Sequence, residues 1–138
     1  MSIHERIKAL RAELELFDDP LQKYEYIIEL GRDLAPLESS YKTEVYRVQG
    51  CQSTVWLHPY EKEGKLYFEA DSDALIVRGL VQILIRIFSG ATAGEIVASD
   101  EKLLASLGLD EIITAGRQNG VSAMLKRIYG FAKEHEDD

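Results

Sequence analysis

Cysteine, proline and tryptophan are scarce in this 138-residue chain, which contains one Cys, three Pro and one Trp. A single cysteine excludes an internal disulfide, and it excludes a zinc or iron–sulfur site built mainly from the thiolates of one chain. With only three Pro and ten Gly, the composition is unlike that of a disordered or fibrous sequence. We therefore expect a folded domain, and the lone thiol of Cys51 needs an explanation other than cross-linking.

Long hydrophobic runs are also missing. The most apolar segment, residues 76–88, is interrupted by Arg78 and Arg86 and is too short to cross a bilayer. The N-terminal residues mix acidic and basic side chains, which is unlike a secretory signal peptide. These features predict a cytoplasmic protein without a membrane partner.

Positive charge is outnumbered by negative charge. The chain has 16 Lys and Arg against 24 Asp and Glu, a formal net charge of −8. This balance opposes binding to a phosphate backbone or to an anionic membrane surface. We expect no nucleic-acid partner.

The length and hydrophobic spacing predict one domain over residues 1–138. Apolar residues recur every three or four positions through residues 3–17 and predict an N-terminal helix within residues 1–18. Asp19 followed by Pro20 predicts the start of a second helix. The acidic residues 134–138 are typical of a frayed, solvated tail.

Three short runs of β-branched and aromatic residues follow, at residues 45–48, 54–57 and 66–68. Gly64 lies in the polar connection between the second and third runs and favours a hairpin. The apolar segment 74–88 predicts a central buried helix, and a final helix is expected beyond residue 120. The order predicts an α+β domain in which helices cover one face of a small three-stranded antiparallel sheet.

Cys51 lies between the first two predicted strands, in a polar turn with Gly50, Gln52 and Ser53. A lone cysteine often acts as a small buried hydrophobe. A turn on a rigid scaffold is instead typical of a functional side chain, so a reactive thiol and an inert one remain equal alternatives. No Cys–His pair with an orienting acid is evident from the spacing of the three histidines.

Other candidate residues each have a structural and a functional interpretation. Asp71 and Asp73 precede the apolar helix, where capping is favoured over acid–base work. Arg117, expected just before the last helix, suits either a solvated surface position or a cation near a thiolate. For Trp56, a position in the core is favoured over one that faces a partner. For His58, a position on the surface of a strand is favoured.

Two segments carry a family resemblance. Residues 48–56 read VQGCQSTVW and residues 71–80 read DSDALIVRGL. Together they resemble the SufE family, or its CsdE paralogues, which are sulfur acceptors that work with group II cysteine desulfurases. The likeness extends from about residue 23 to residue 124.

The resemblance implies a SufE/IscU-like fold in which Cys51 accepts sulfane sulfur as a persulfide. Gly50 would allow the loop to swing, and Gln52 and Ser53 would form its hydrogen bonds. Asp73 would position the loop or a partner, and Arg117 would engage the desulfurase.

The family also implies the protein's partners. They are a SufS-like or CsdA-like desulfurase, which supplies sulfur and carries its own pyridoxal phosphate, and an iron–sulfur scaffold complex similar to SufBCD, which receives it. The chain itself would need no cofactor and no metal, and would be a monomer or weak homodimer. It would act as a sulfur-transfer partner more than as a stand-alone enzyme.

Two alternatives belong to other classes of protein. One is a scaffold for iron–sulfur cluster assembly in which Cys51 is a ligand, although one cysteine per chain argues against it. The other is a non-catalytic binding module with an inert, buried Cys51.

Overall fold

The computed structural model describes residues 1–136, apart from the side chains of residues 101 and 103. Residues 137 and 138 of the predicted acidic tail lie outside the described residues. Short 3₁₀ helices connect the main elements at Ser39–Tyr41, Glu101–Leu107 and Leu109–Glu111. The main elements in chain order are α1 (Ile3–Glu15), α2 (Pro20–Gly31), β1 (Val55–Lys62), β2 (Lys65–Ser72), α3 (Leu75–Phe88), α4 (Ala93–Ala98) and α5 (Ala115–Glu134).

Side-chain caps set the starts of several helices. The Asp19 carboxylate accepts a hydrogen bond from the Leu21 N–H at 3.0 Å, and Pro20 occupies the first turn of α2, which confirms the predicted helix start. Thr92 and Glu95 form a capping box at α4. These caps satisfy backbone donors that have no partner inside the helix.

The sheet has two strands among the described residues, so the expectation of three strands was wrong. β1 and β2 pair antiparallel from Val55 opposite Ser72 to Lys62 opposite Lys65. The first predicted strand is reduced to a single bridge between Arg47 and Trp56. Residues 43–47 instead form a turn, because the N–H groups of residues 46 and 47 bond to carbonyls three residues earlier. These two N–H groups therefore cannot pair with a neighbouring strand.

The hairpin presents one face to the core and one face outward. Val55 and Leu57 are buried, whereas the intervening Trp56 is only partly buried, because successive side chains in a strand point to opposite faces. The Lys42 ammonium lies 5.6 Å from the centre of the Trp56 ring. The core placement favoured for Trp56 was therefore wrong.

The central helix α3 packs against α2 and β2, as its apolar sequence predicted. Two glycines meet where α2 and α3 cross. A Cβ atom on Gly79 would lie 2.0 Å from the carbonyl oxygen of Ile27, and one on Gly31 would lie 2.7 Å from the backbone nitrogen of Gly79. The missing side chains let the two backbones approach closely enough to bury the interface.

Two local predictions at helix starts were wrong. The α3 helix begins after Ala74 without a side-chain cap, since Asp71 and Asp73 are engaged elsewhere. Helix α5 begins at Ala115, capped by Thr114, so Arg117 lies within its first turn and not before it. In each case a tertiary contact or an earlier cap decided the boundary.

Candidate functional site

Residues 49–54, here called the cysteine loop, connect the Arg47 bridge to β1. The Val48 N–H donates to the Val55 carbonyl at 2.8 Å and closes the base of the loop. Gly50 has a φ of +92°, a left-handed conformation that a residue with a Cβ rarely adopts. This conformation reverses the chain, so that Cys51 lies against α5.

The cysteine loop packs on a row of small residues along α5. These residues are spaced by four and three positions, which places them on one face of the helix. A Cβ atom at position 116 would lie 2.1 Å from Gln52 Nε2, so only glycine admits this side chain as placed. The facing pairs are Gly50 with Ala123, Cys51 with Gly120, and Gln52 with Gly116.

The Cys51 thiol is half-buried and points into this contact. Its Sγ atom donates to the Gly120 carbonyl at 3.8 Å, within range for sulfur. It borders an enclosed cavity of about 10 Å³ whose apolar wall includes Val77, Leu80 and Met124. Burial raises the pKa of the Cys51 thiol above its usual value, because an apolar surrounding disfavours the thiolate. In this conformation the surroundings of the sulfur favour the thiol over the thiolate.

Arg117 holds the middle of the cysteine loop. Its guanidinium Nη1 donates a hydrogen bond to the Ser53 hydroxyl, while its backbone N–H donates to Thr114 Oγ1 at 3.3 Å. Both Arg117 and Ser53 are partly buried. The side chain therefore links the first turn of α5 to the residue two positions after Cys51.

Asp73 and Ser72 hold the end of the loop at Thr54. Asp73 Oδ1 accepts a hydrogen bond from the Thr54 N–H at 3.1 Å, and the Ser72 hydroxyl donates to the Thr54 carbonyl at 2.8 Å. Ser72 is the only polar residue that is fully buried among the described side chains. The carboxylate of Asp73 therefore binds a backbone donor of the loop, as a positioning residue does.

Two other candidate residues lie away from Cys51. His58 Nδ1 lies 3.1 Å from Glu69 Oε1, and its ring stacks on Tyr41 with centres 3.7 Å apart. Among the described residues, those that line the Cys51 cavity include no histidine. Asp71 pairs with Lys42 at 3.0 Å and with Arg78 at 3.3 Å, so it serves as a structural carboxylate.

Sequence reasoning missed the residues of α5 that receive the loop. Gly116 and Gly120 were not identified as parts of the site, although glycines four residues apart in a helix favour close contact with another segment. Thr114 and Ser72 were also missed, since their roles depend on the tertiary placement of α5 and Thr54.

The residues that the structure describes within 1–136 contain neither a cluster of metal ligands nor a membrane-spanning helix. In this part of the chain, His, Cys, Asp and Glu side chains nowhere gather in a set of three suited to a metal ion. None of the helices described there combines the length and the apolar character needed to cross a bilayer.

The architecture is one already seen in a solved protein. The solution structure of a hypothetical protein from Thermus thermophilus matches 96% of this chain and 97% of its own, with a TM-score of 0.79 at 18% sequence identity. The chain therefore has this mixed α+β fold, in which helices pack on a small antiparallel sheet.

Residues 8–132 match the model of the SufE family, described as an Fe-S metabolism associated domain. The chain is 42% identical over 121 residues to an uncharacterized SufE-like protein of Rhizobium etli, covering 84% of this chain and 82% of that protein. An uncharacterized SufE-like protein of Rhizobium meliloti is 40% identical over 121 residues, covering 84% and 86%. The chain belongs to the SufE family, which confirms the resemblance seen in its sequence.

A plant relative is longer. SufE-like protein 1 of Arabidopsis thaliana, named as chloroplastic/mitochondrial, is 36% identical over 109 residues, which cover 78% of this chain and 29% of that protein. Its name places a SufE-like protein in organelles, so the cytoplasmic location expected for this chain stays a prediction.

Proposed function

We propose that this protein accepts sulfane sulfur from a cysteine desulfurase on Cys51 and passes it to an iron–sulfur assembly scaffold. The observation that carries the proposal is the placement of the chain's one thiol on a loop that rests on α5 through small residues and side-chain hydrogen bonds. Membership of a family associated with Fe-S metabolism supports the same function.

The transfer step balances without a metal, an oxidant or a second cysteine. The Cys51 thiolate attacks the outer sulfur of the donor's cysteine persulfide, so that a new S–S bond forms at Cys51 while the donor's S–S bond breaks. The donor cysteine leaves as a thiolate and takes up the proton that Cys51 has lost. The products are a persulfide on Cys51 and a free thiol on the donor.

The resting conformation has to change before this step. A protonated, half-buried thiol is a poor nucleophile, and burial raises the pKa of Cys51. Once the donor has docked, the loop would lift from α5, which would expose Sγ and favour the thiolate.

Arg117 and Asp73 act in this scheme as positioning residues. Arg117 binds Ser53 and Asp73 binds Thr54, so both set the resting place of the loop without touching Sγ. Gly50 and Gln52 serve the same purpose through their contacts with α5. The cofactor chemistry of carbon–sulfur cleavage stays with a group II desulfurase of the SufS or CsdA kind.

Intact-protein mass spectrometry tests the proposal. The protein is incubated with a purified group II cysteine desulfurase and L-cysteine, and then weighed without reductant. We expect a species one sulfur atom heavier, lost on treatment with a thiol reductant and absent from Cys51→Ser. Stimulation of sulfide release by wild type but not by Cys51→Ser is the companion measurement. A wild type that gains no sulfur, or a Cys51→Ser variant that stimulates equally, would refute the proposal.

A further inference from the structure

Charge is unevenly distributed over this acidic protein. Helix α5, on which the cysteine loop rests, carries four basic residues and one acidic residue, a net charge of +3. The whole chain carries −8, so the residues outside α5 carry −11. The charged residues of α5 are Arg117, Lys126, Arg127, Lys133 and Glu134.

A groove beside the cysteine loop collects part of this positive charge. It has a volume of about 500 Å³ and lies between α5 and the start of the loop. A second groove of about 310 Å³ shares Lys126 and Arg127, continues toward Phe131 and includes the carboxylate of Glu134. We call the first the basic groove; it is lined by Gln49, Gly50, Asn119, Ser122, Ala123, Lys126 and Arg127.

The two cations of the basic groove keep their charge available. Arg127 donates to the carbonyls of Arg47 at 3.0 Å and Val45 at 3.4 Å, and these neutral acceptors fix the guanidinium without cancelling its charge. Lys126 is exposed. Among the side chains that the structure describes, the ion pairs formed by carboxylates involve neither Lys126 nor Arg127.

We propose that the basic groove binds a carboxylate-bearing surface segment of the protein that donates the persulfide. This inference rests on the proposed function and adds the chemistry by which the donor is recognised. The rest of the chain has a net negative charge, so a carboxylate-bearing segment is attracted to the groove more than to the remainder of the protein. Gly50 in the wall of the groove sets the bound segment next to Cys51.

The conformation of the cysteine loop favours the sulfur donor over the sulfur acceptor as the partner that binds in the basic groove. Gln49 and Gly50 form one wall of the groove in the conformation in which the loop rests on α5 and the sulfur-free Cys51 thiol donates to the Gly120 carbonyl. The donor is the partner that must recognise the sulfur-free form. The acceptor meets the persulfide form, and its binding is an alternative outcome that the same experiment detects.

Charge reversal at Lys126 is the direct test. The affinity of wild type, Lys126→Gln and Lys126→Glu for a purified group II cysteine desulfurase is measured by calorimetry and stopped-flow at low and high salt. Lys8→Glu is the matched control, since Lys8 is an exposed residue of α1 outside the groove and the change in net charge is identical.

At low salt, Lys126→Glu is expected to raise Kd about tenfold, mostly through slower association, because peripheral charges act on the on-rate. Lys126→Gln should lie between wild type and Lys126→Glu, and Lys8→Glu should stay within about twofold of wild type. At ~1 M salt, where the Debye length is about 3 Å, the variants should converge.

The groove proposal is overturned if Lys126→Glu binds the desulfurase as wild type does, or if Lys8→Glu weakens binding equally. Binding of the persulfide-loaded form to the purified scaffold complex is measured with the same variants, and a loss confined to that partner overturns the assignment to the donor. Sulfur loading of wild-type Cys51 separates the two hypotheses. If wild type gains no sulfur the proposed function fails, whereas normal loading with an unaffected Lys126→Glu rejects only the groove.

Discussion

Removal of the Arg117 side chain should release the cysteine loop without unfolding the protein. Arg117→Ala deletes the guanidinium that donates to Ser53. It keeps the backbone N–H that bonds to Thr114 Oγ1 at 3.3 Å, so the cap of α5 is preserved. The effect should therefore be local to residues 49–54.

The magnitude follows from the type of hydrogen bond and its exposure. A hydrogen bond from a charged donor contributes about 1.5–3 kcal/mol. Arg117 and Ser53 are only partly buried, so solvent screening reduces the contribution to about 1 kcal/mol. Since 1.4 kcal/mol is a factor of ten, the equilibrium constant for opening the loop should rise about fivefold.

Alkylation of Cys51 reports this opening. When reclosing is faster than reaction, the rate with iodoacetamide is proportional to the open population. Opening also removes the burial that raises the pKa of Cys51. The greater exposure of the sulfur and its larger thiolate fraction therefore both speed alkylation of the open loop. We expect Arg117→Ala to react about fivefold faster than wild type at neutral pH, with both chains equally fast in denaturant.

Two controls isolate the contact. Arg32→Ala removes the exposed arginine that directly follows α2 and should leave the rate unchanged. Ser53→Ala should accelerate alkylation, and the double variant should be little faster than Arg117→Ala alone, since both changes remove one interaction. If Arg117→Ala reacts within about twofold of wild type while retaining its thermal stability, the reasoning is refuted.

Four further results are expected from stability measurements. Gly79→Ala should lower the free energy of unfolding in urea by about 1–3 kcal/mol, because its Cβ meets a backbone carbonyl at 2.0 Å. Gly94→Ala, in α4, meets no atom within 4 Å and should instead stabilise by about 0.5–1 kcal/mol. The raised pKa of Cys51 means that wild type should lose stability relative to Cys51→Ser as the pH rises above 9. Hydrogen bonds from Arg86 lower the pKa of Glu13, so this pair contributes stability above pH 4.5 that is lost as the pH falls and Glu13 becomes protonated. Glu13→Gln should therefore reduce the dependence of the free energy of unfolding on pH in this acid limb, the range below pH 4.5.

Each of these results has an opposite outcome. Equal urea midpoints for the two glycine variants would contradict the close approach of α2 and α3. A constant difference between wild type and Cys51→Ser from pH 7 to pH 10 would contradict burial of the thiol as the cause of its raised pKa. An acid limb that Glu13→Gln leaves unchanged would contradict the contribution of its pair with Arg86.

Much of the fold could be predicted from local patterns. Asp19 with Pro20 and Thr92 with Glu95 specify helix starts by hydrogen bonds between residues at most three apart, so their effect does not depend on the rest of the molecule. The hairpin turn at residues 63 and 64 is also specified locally, because both turn residues have a positive φ. The motif around Cys51, together with residues 71–80, was enough to predict the family.

The sequence by itself determined where most helices lie, that one thiol is available, and which family the chain belongs to. Only the tertiary structure decided that residues 45–48 form a turn with a bridge instead of a strand, that Trp56 faces outward, and that Asp73 binds Thr54 instead of capping α3. It also decided how α5 receives the cysteine loop through Gly116, Gly120 and Arg117. The reason is distance along the chain. Ser53 and Arg117 are 64 residues apart, so their contact depends on how the whole core packs and not on any local pattern.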